Sequence, residues 1–244
     1  MQALILAGGA GTRLRSVLGE NLNKPMAPIA EKPFLEYLVT RLHKQGIDDI
    51  ILCVGYKAAL IESYFGRGDR WGVRLTYSRE TELLGTGGAV KLAEDLLRGD
   101  DFILLNGDSF FDVDVADLAR FHNEVGADAT LALAHVSNAQ RFGAVRLDDE
   151  RRIIGFTEKD NEVRPGLING GIYILARDVL SLIPPGRICS LERDVFPLLM
   201  ARNLYGRSYR EYFIDIGVPA DYERLQADPS PLFAVTVDRR QEAW

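Results

Sequence analysis

The sequence is poor in the side chains on which most metal and redox sites are built. Its 244 residues include 2 cysteines, Cys53 and Cys189, and 3 histidines, His43, His122 and His135. Two distant cysteines exclude a disulfide framework, and unclustered histidines exclude the ligand spacing of a zinc site. No apolar run approaches the ~18 residues that span a bilayer, and no basic stretch precedes an apolar one at the N-terminus, so a soluble, cytoplasmic protein is expected. Positive charge is in deficit too: 29 Lys and Arg against 35 Asp and Glu leave a net charge of −6. That is no footprint for nucleic acid or an anionic membrane. Repeats and low-complexity linkers are missing. What is present, 47% hydrophobic and 26% charged residues, is ordinary globular composition in a length that suits one large domain.

The chain opens on Gln2-Ala3-Leu4-Ile5-Leu6-Ala7, an apolar run without alternation, as in a strand buried on both faces of a parallel sheet. The helical spacing of Phe34, Leu35, Leu38, Val39 and Leu42 predicts a helix from Phe34, closed by Gly46. Strand-like runs recur at Ile50–Val54, Val73–Tyr77 and Phe102–Leu105, and a helix after Gly88 carries Leu92, Ala93, Leu96 and Leu97 on one face. This alternation through about residue 125 predicts an α/β fold, a Rossmann-like doubly wound sheet with right-handed crossovers. Beyond it, Ala129–His135, Ala144–Leu147, Ile153–Thr157 and Gly171–Leu175 read as strands with short connections, which makes the sheet mixed, mainly parallel, within a single domain. Leu191–Arg202 reads as a helix and Ser208–Ile214 as a late strand reaching Asp215. In the tail, 229–244, Pro229 and Pro231 break any helix, and Phe233–Val237 is an edge strand or the contact of a homo-oligomer.

Ligands of open α/β sheets bind at the carboxyl ends of the strands, and four loops at such ends share a chemistry. Gly8-Gly9-Ala10-Gly11-Thr12-Arg13 is a glycine turn whose backbone N–H groups, with the forked Arg13 cation, suit phosphate; a plain turn reads the same way. It lacks the four-residue glycine spacing and following Lys-Ser/Thr of a P-loop, and it is not a dinucleotide fingerprint, because Leu14 stands where the third glycine belongs. Lys24 lies in a segment stiffened by Pro25 and Pro28, either aimed at a ligand or simply exposed before a turn. Asp108 follows a buried strand, where a carboxylate is costly unless a cation sits at the mouth; Asp112 and Asp114 add carboxylates nearby, Asp114 also suiting a helix N-cap. Asp215 ends another apolar run, and two aspartates with few other ligand types suit Mg²⁺ completed by substrate phosphates.

In this order the sequence resembles the sugar-phosphate nucleotidyltransferases. The resemblance is carried by Leu6-Ala7-Gly8-Gly9-Ala10-Gly11-Thr12-Arg13-Leu14, Lys24-Pro25, Asn106-Gly107-Asp108, Glu158-Lys159, Asn169-Gly170-Gly171 and Asp215-Ile216-Gly217, across about residues 2–225. It implies transfer of a nucleoside monophosphate from an NTP to a sugar 1-phosphate, with release of pyrophosphate. The implied nucleotide site is Leu6, Ala7, Gly8, Gly9, Gly11, Thr12, Arg13, Lys24, Glu80, Gly85, Thr86, Gly87 and Asp108, of which Arg13, Lys24 and Asp108 are catalytic. Asp108 and Asp215 are implied to bind Mg²⁺, and Gly143, Glu158, Lys159, Asn169 and Gly170 to bind the sugar 1-phosphate. Residues 1–228 then form the nucleotidyltransferase domain, with a nucleotide-binding half to about 125 and a sugar-phosphate half beyond it. Within the family, Lys24–Pro28, Lys32–Leu38, Val54–Lys57 and Leu84–Ala89 look most like the heptose 1-phosphate guanylyltransferases, with Leu83 where proline is expected. GTP and D-glycero-α-D-manno-heptose 1-phosphate are the implied substrates. Glu80 could accept from the N1–H and amine of guanine, although uracil also offers an N–H. Uridylyl-, adenylyl- and mannose-1-phosphate guanylyltransferases are the alternatives within the family, and a non-catalytic nucleotide- or sugar-binding regulatory subunit is the alternative outside catalysis. His43 at a helix C-terminus, His122, His135, Cys53, Trp71, Tyr209 and Tyr212 read as structural.

Overall fold

Apolar runs that do not alternate need cover on both faces, and the sheet they build has it. The computed structural model describes residues 1–9, 11, 14, 22–156 and 163–234. Among the described residues the strands are β1 (Gln2–Leu6), β2 (Pro28–Ile29), β3 (Lys32–Pro33), β4 (Asp49–Val54), β5 (Arg74–Arg79), β6 (Asp101–Asn106), β7 (Ser109–Phe111), β8 (Ala129–Val136), β9 (Val145–Leu147), β10 (Ile153–Phe156), β11 (Gly166–Ala176), β12 (Leu204–Tyr209) and β13 (Phe213–Asp215). Seven of them form one sheet in the order β12-β8-β11-β6-β1-β4-β5. Its pairings are parallel except those of β11, which runs against both β6 and β8. The expected mixed, mainly parallel α/β sheet is therefore present.

Successive residues of the central strands serve opposite faces. Ala3, Ile5, Ile50, Leu52, Ile103 and Leu105 join one core with Phe34, Leu38, Phe65 and Leu118. Leu4, Ile51, Cys53, Phe102 and Leu104 join the other with Val90, Ala93, Leu191 and Phe196. Helices Phe34–Lys44, Ala58–Phe65 and Val115–Val125 thus cover the first face, and Gly85–Leu92 and Phe196–Met200 the second. The helix from Phe34 ends as expected: Gly46 has φ +80° and donates its N–H to His43 O at 2.9 Å. Asp114 is an N-cap, its Oδ1 accepting from Ala116 N at 2.9 Å and Asp117 N at 3.3 Å. Asp114→Ala is accordingly expected to cost about 1 kcal/mol in urea denaturation.

Four expectations are corrected. Gly85–Gly88 is not a loop ahead of a helix but its first turn, since the helix spans Gly85–Leu92. The glycines allow contact with a neighbouring segment: Gly87 N and Gly88 N donate to Cys189 O at 2.9 and 3.2 Å, and a Cβ on Gly88 would lie 2.7 Å from Arg187 O. Leu92 is 47% exposed and leaves the apolar face to Ala93 and Leu97. The strand expected over Ser208–Ile214 is two, because β12 belongs to the main sheet whereas β13 pairs antiparallel with β7. Phe233 closes a helical turn, Ser230–Phe233, with Pro231 in its first turn where proline is tolerated, and its ring lies edge-on to Tyr37 at 5.7 Å; 235–237 lie outside the described residues. Leu191–Arg202 is helical as a π-turn, Leu191–Val195, leading into Phe196–Met200. Among the described residues no helix is long and apolar enough to cross a membrane.

Candidate active site

Parallel pairing puts the ends of β1, β4, β5 and β6 on one rim, and the reversed β11 brings its amino-terminal part to the same rim. Gly107 fixes the first crossing: its N–H donates to Leu6 O at 2.9 Å, and a Cβ there would collide with that oxygen. Asp108 therefore emerges beside the glycine turn after β1. The chain returns through β13, where Asp215 pairs with Ser109 and Ile216 N donates to Asp108 O at 2.9 Å. The two aspartates, far apart in sequence, are neighbours.

Beside them stands Lys24. A 3-10 turn, Lys24–Met26, with Pro25 as its second residue carries it, and Asn23 Nδ2 anchors the entry to Tyr56 O at 3.1 Å. Lys24 is 8% exposed, not a surface lysine, and its Nζ lies 2.7 Å from Asp108 Oδ2. A Cβ added to Gly217 would lie 2.8 Å from Lys24 Nζ and 2.7 Å from Asp215 Oδ1, so ammonium and second carboxylate approach one point. Asp215 Oδ1 also accepts the Gly217 N–H at 2.6 Å, and Asp108 Oδ1 accepts from Ser109 Oγ at 3.3 Å.

A cavity of about 410 Å³ opens beside this cluster. Of the expected nucleotide residues, Leu6, Gly8, Gly9, Gly11, Lys24, Glu80, Gly85, Thr86 and Asp108 border it. Ala7 is buried, its N–H on Cys53 O at 2.8 Å, and Gly87 packs on Cys189, where a Cβ would lie 2.9 Å from the sulfur. Thr12, Arg13, Glu158 and Lys159 lie outside the described residues. Pro25, Leu83, Ala89, Asn106 and Gly107 complete the border; of these, Leu83 and Ala89 carried no signal of a ligand beyond their place beside the glycine stretch.

Glu80 follows β5 and lies against Gly8 and Gly55, at either of which a Cβ would collide with its side chain. Burial raises the pKa of its carboxyl, partly offset by the Leu84 N–H that Oε2 accepts at 3.1 Å. The segment after it is held from behind: Cys189 N donates to Leu84 O at 2.8 Å, and the Thr86 hydroxyl donates to Glu192 Oε2 at 2.9 Å while accepting from Leu191 N at 2.8 Å.

On the other side of Asp108, Asn169 Nδ2 donates to Tyr173 OH at 3.0 Å and Asn169 Oδ1 accepts the Gly171 N–H at 3.0 Å. Tyr173 is fully buried, which pushes its phenol pKa up. The register of β11 against β8 shifts between Asn169 and Tyr173, and Gly171 within the shift has φ +76°. Gly170 is packed so closely that a Cβ would collide with the Phe111 ring and lie 2.9 Å from Ala132 O. Asp215 borders a second cavity, about 370 Å³, with Arg141, Phe142, Asp221 and Arg224. Gly143 borders neither cavity; its N–H donates to Ala139 O at 3.1 Å.

Two carboxylates converging on a cation, with only oxygen donors, form a donor set that fits Mg²⁺ completed by phosphate oxygens. Among the described residues no group of three or more His, Cys, Asp or Glu could hold a metal without such help. Asp112 is corrected: it is buried against Arg41 and adds nothing to the mouth. Apart from His135, which is exposed, the other residues read as structural are packed or paired. His43 Nδ1 meets Asp48 at 2.8 Å, buried His122 meets Thr130 at 2.9 Å with its pKa lowered by burial, and Tyr209 OH donates to Asp117 at 2.9 Å. Trp71 packs on Phe65, and burial raises both thiol pKa values.

Comparison with known proteins follows the same lines. The family described as nucleotidyl transferase matches residues 2–229. The chain is 43% identical over 229 residues to D-glycero-alpha-D-manno-heptose 1-phosphate guanylyltransferase of Aneurinibacillus thermoaerophilus, covering 93% of this chain and 98% of that protein. It is 40% identical over 240 residues to mannose-1-phosphate guanylyltransferase of Mycobacterium tuberculosis, covering 95% and 67%. The crystal structure of HddC from Yersinia pseudotuberculosis complexed with GMP-PN superposes with a TM-score of 0.82 at 33% identity, covering 93% of this chain and 98% of that one.

Proposed function

Because the chain belongs to the nucleotidyl transferase family, we propose that it transfers guanylyl from GTP to D-glycero-α-D-manno-heptose 1-phosphate, giving the nucleotide sugar and pyrophosphate. The observation that carries the reading is the convergence of Lys24, Asp108 and Asp215 beside the glycine-bordered cavity. Residues to about 125 form the nucleotide half and those to 228 the acceptor half. Gly8, Gly9, Gly11, Thr12 and Arg13 take the triphosphate, and Lys24 neutralises charge on its phosphates. Glu80 accepts from the guanine N–H groups, with Gly85, Thr86 and Gly87 against the base. Lys159 neutralises the acceptor phosphate and Glu158 takes a sugar hydroxyl, and Gly143, Asn169 and Gly170 also bind the sugar 1-phosphate.

Asp108 and Asp215 hold Mg²⁺, which when bound supplies charge neutralisation between the two polyanionic substrates. The chain's own task is positioning: two phosphates must meet with the attacking oxygen about 3–3.5 Å from phosphorus. The acceptor phosphate oxygen bonds to the α-phosphorus as the bond to pyrophosphate breaks, and no side-chain nucleophile takes part. Inversion at phosphorus is expected, and retention would replace this route by a covalent one.

Pyrophosphate release across the four NTPs and a panel of sugar 1-phosphates, with Mg²⁺, tests the reading. GTP with the heptose 1-phosphate should be turned over fastest; mannose 1-phosphate is the competing acceptor, and no release from any pair overturns the assignment. Glu80→Gln is expected to lower kcat/KM for GTP about 10- to 100-fold, the loss of one charge-assisted hydrogen bond, and to change ATP use little. The ratio of the two measures the contribution of Glu80 to base choice.

A further inference from the structure

The ion pair at the mouth has a consequence for how metal enters, given the proposed reading of Asp108 and Asp215 as metal ligands. We infer that Lys24 is a tethered substitute for the divalent cation: without nucleotide its ammonium occupies the carboxylate pair and holds metal out. Metal then enters together with the triphosphate, whose oxygens offer Lys24 a new partner.

Three observations support this. Lys24 is buried, and its Nζ contacts Asp108 Oδ2 at 2.7 Å, well inside the range of an ion pair. The same ammonium and Asp215 Oδ1 approach the Cβ position of Gly217 at 2.8 and 2.7 Å, so the second carboxylate lies in the neighbourhood of the charge that Asp108 pairs. The stem is fixed rather than free to swing from the surface: Pro25 stiffens the turn, and a Cβ on Gly11 would lie 3.0 Å from Lys24 Cβ. A divalent ion brought between the aspartates alone therefore meets a cation already in place, and like charges at such separations repel strongly in a partly desolvated site. A metal–triphosphate complex meets no such barrier, because its phosphates attract the ammonium that its metal repels.

The inference predicts effects of opposite sign in one variant. Mn²⁺ alone, followed by electron paramagnetic resonance, should bind Lys24→Met at least tenfold tighter than the unaltered protein. The GTP–Mn²⁺ complex, followed by calorimetry, should bind the same variant at least tenfold more weakly. Lys24→Gln should reproduce both shifts, and provides them where the methionine variant does not fold; Lys24→Arg, which keeps the charge, should leave Mn²⁺ binding weak. A lysine that merely supports the fold cannot tighten one ligand and loosen the other. Mn²⁺ affinity equal to or below that of the unaltered protein in both neutral variants overturns the inference. The reading beneath it is tested separately: Asp108→Asn and Asp215→Asn in the Lys24→Met background should each abolish tight Mn²⁺ binding. Unchanged Mn²⁺ binding in both would remove the carboxylates as ligands whatever Lys24 does.

Discussion

Replacing Asp108 by Asn is expected to lower turnover about a thousandfold while leaving the fold intact. The size follows from what the carboxylate does in the proposed reaction. It balances Lys24 at 2.7 Å, and it is one of two negative groups available to a divalent ion where two polyanions must meet. Asparagine keeps the shape and still accepts a hydrogen bond, so the backbone contact from Ile216 N and the crossing at Gly107 are undisturbed. Turnover measured beside a thermal melt separates the two effects. Full activity in a folded variant would remove Asp108 from the reaction, and a collapsed melt would show that its charge serves stability instead.

Asp112→Ala is expected to do the reverse: to cost about 3–5 kcal/mol in urea denaturation while the folded fraction keeps its kcat. Asp112 and Arg41 are 4% and 5% exposed and form an ion pair, with Arg41 Nη2 also donating to Val113 O at 3.1 Å. Burial pulls the guanidinium pKa down and the Asp112 charge, helped by that of Asp114, pulls it back up, so removing the Asp112 carboxylate takes the main charge partner from a buried cation. Replacing both residues by apolar ones of similar volume should recover most of the loss. Destabilisation of the single variant below 1 kcal/mol would mean that water reaches the guanidinium.

Asp108 and Asp112 stand four positions apart at the end of the same apolar run, and nothing local tells them apart. One faces the rim because Gly107 turns the chain against Leu6 O; the other faces inward because Arg41 waits there from a helix formed much earlier in the chain. Lys24 is ambiguous for the same reason, its partner being distant in sequence. The central strands, by contrast, are legible to within a residue at either end, since burial on both faces leaves an unbroken apolar run that needs no partner to be recognised. Glycine misled where it serves packing rather than freedom: Gly85, Gly87 and Gly88 spell a loop, yet they start a helix because Cys189 and Arg187 press against them. The break between β12 and β13 was hidden because both halves are good strands whose partners lie in different sheets.

The reversed strand β11 also separates two kinds of inheritance. Its residues Ile172–Ala176 hold the ladder to β6, whereas Asn169, Gly170 and Gly171 precede that ladder. In the proposed reading Asn169 and Gly170 face the acceptor. A lineage can therefore exchange one sugar for another by altering this stretch and its surroundings, while the strands that present the nucleotide keep their alignment.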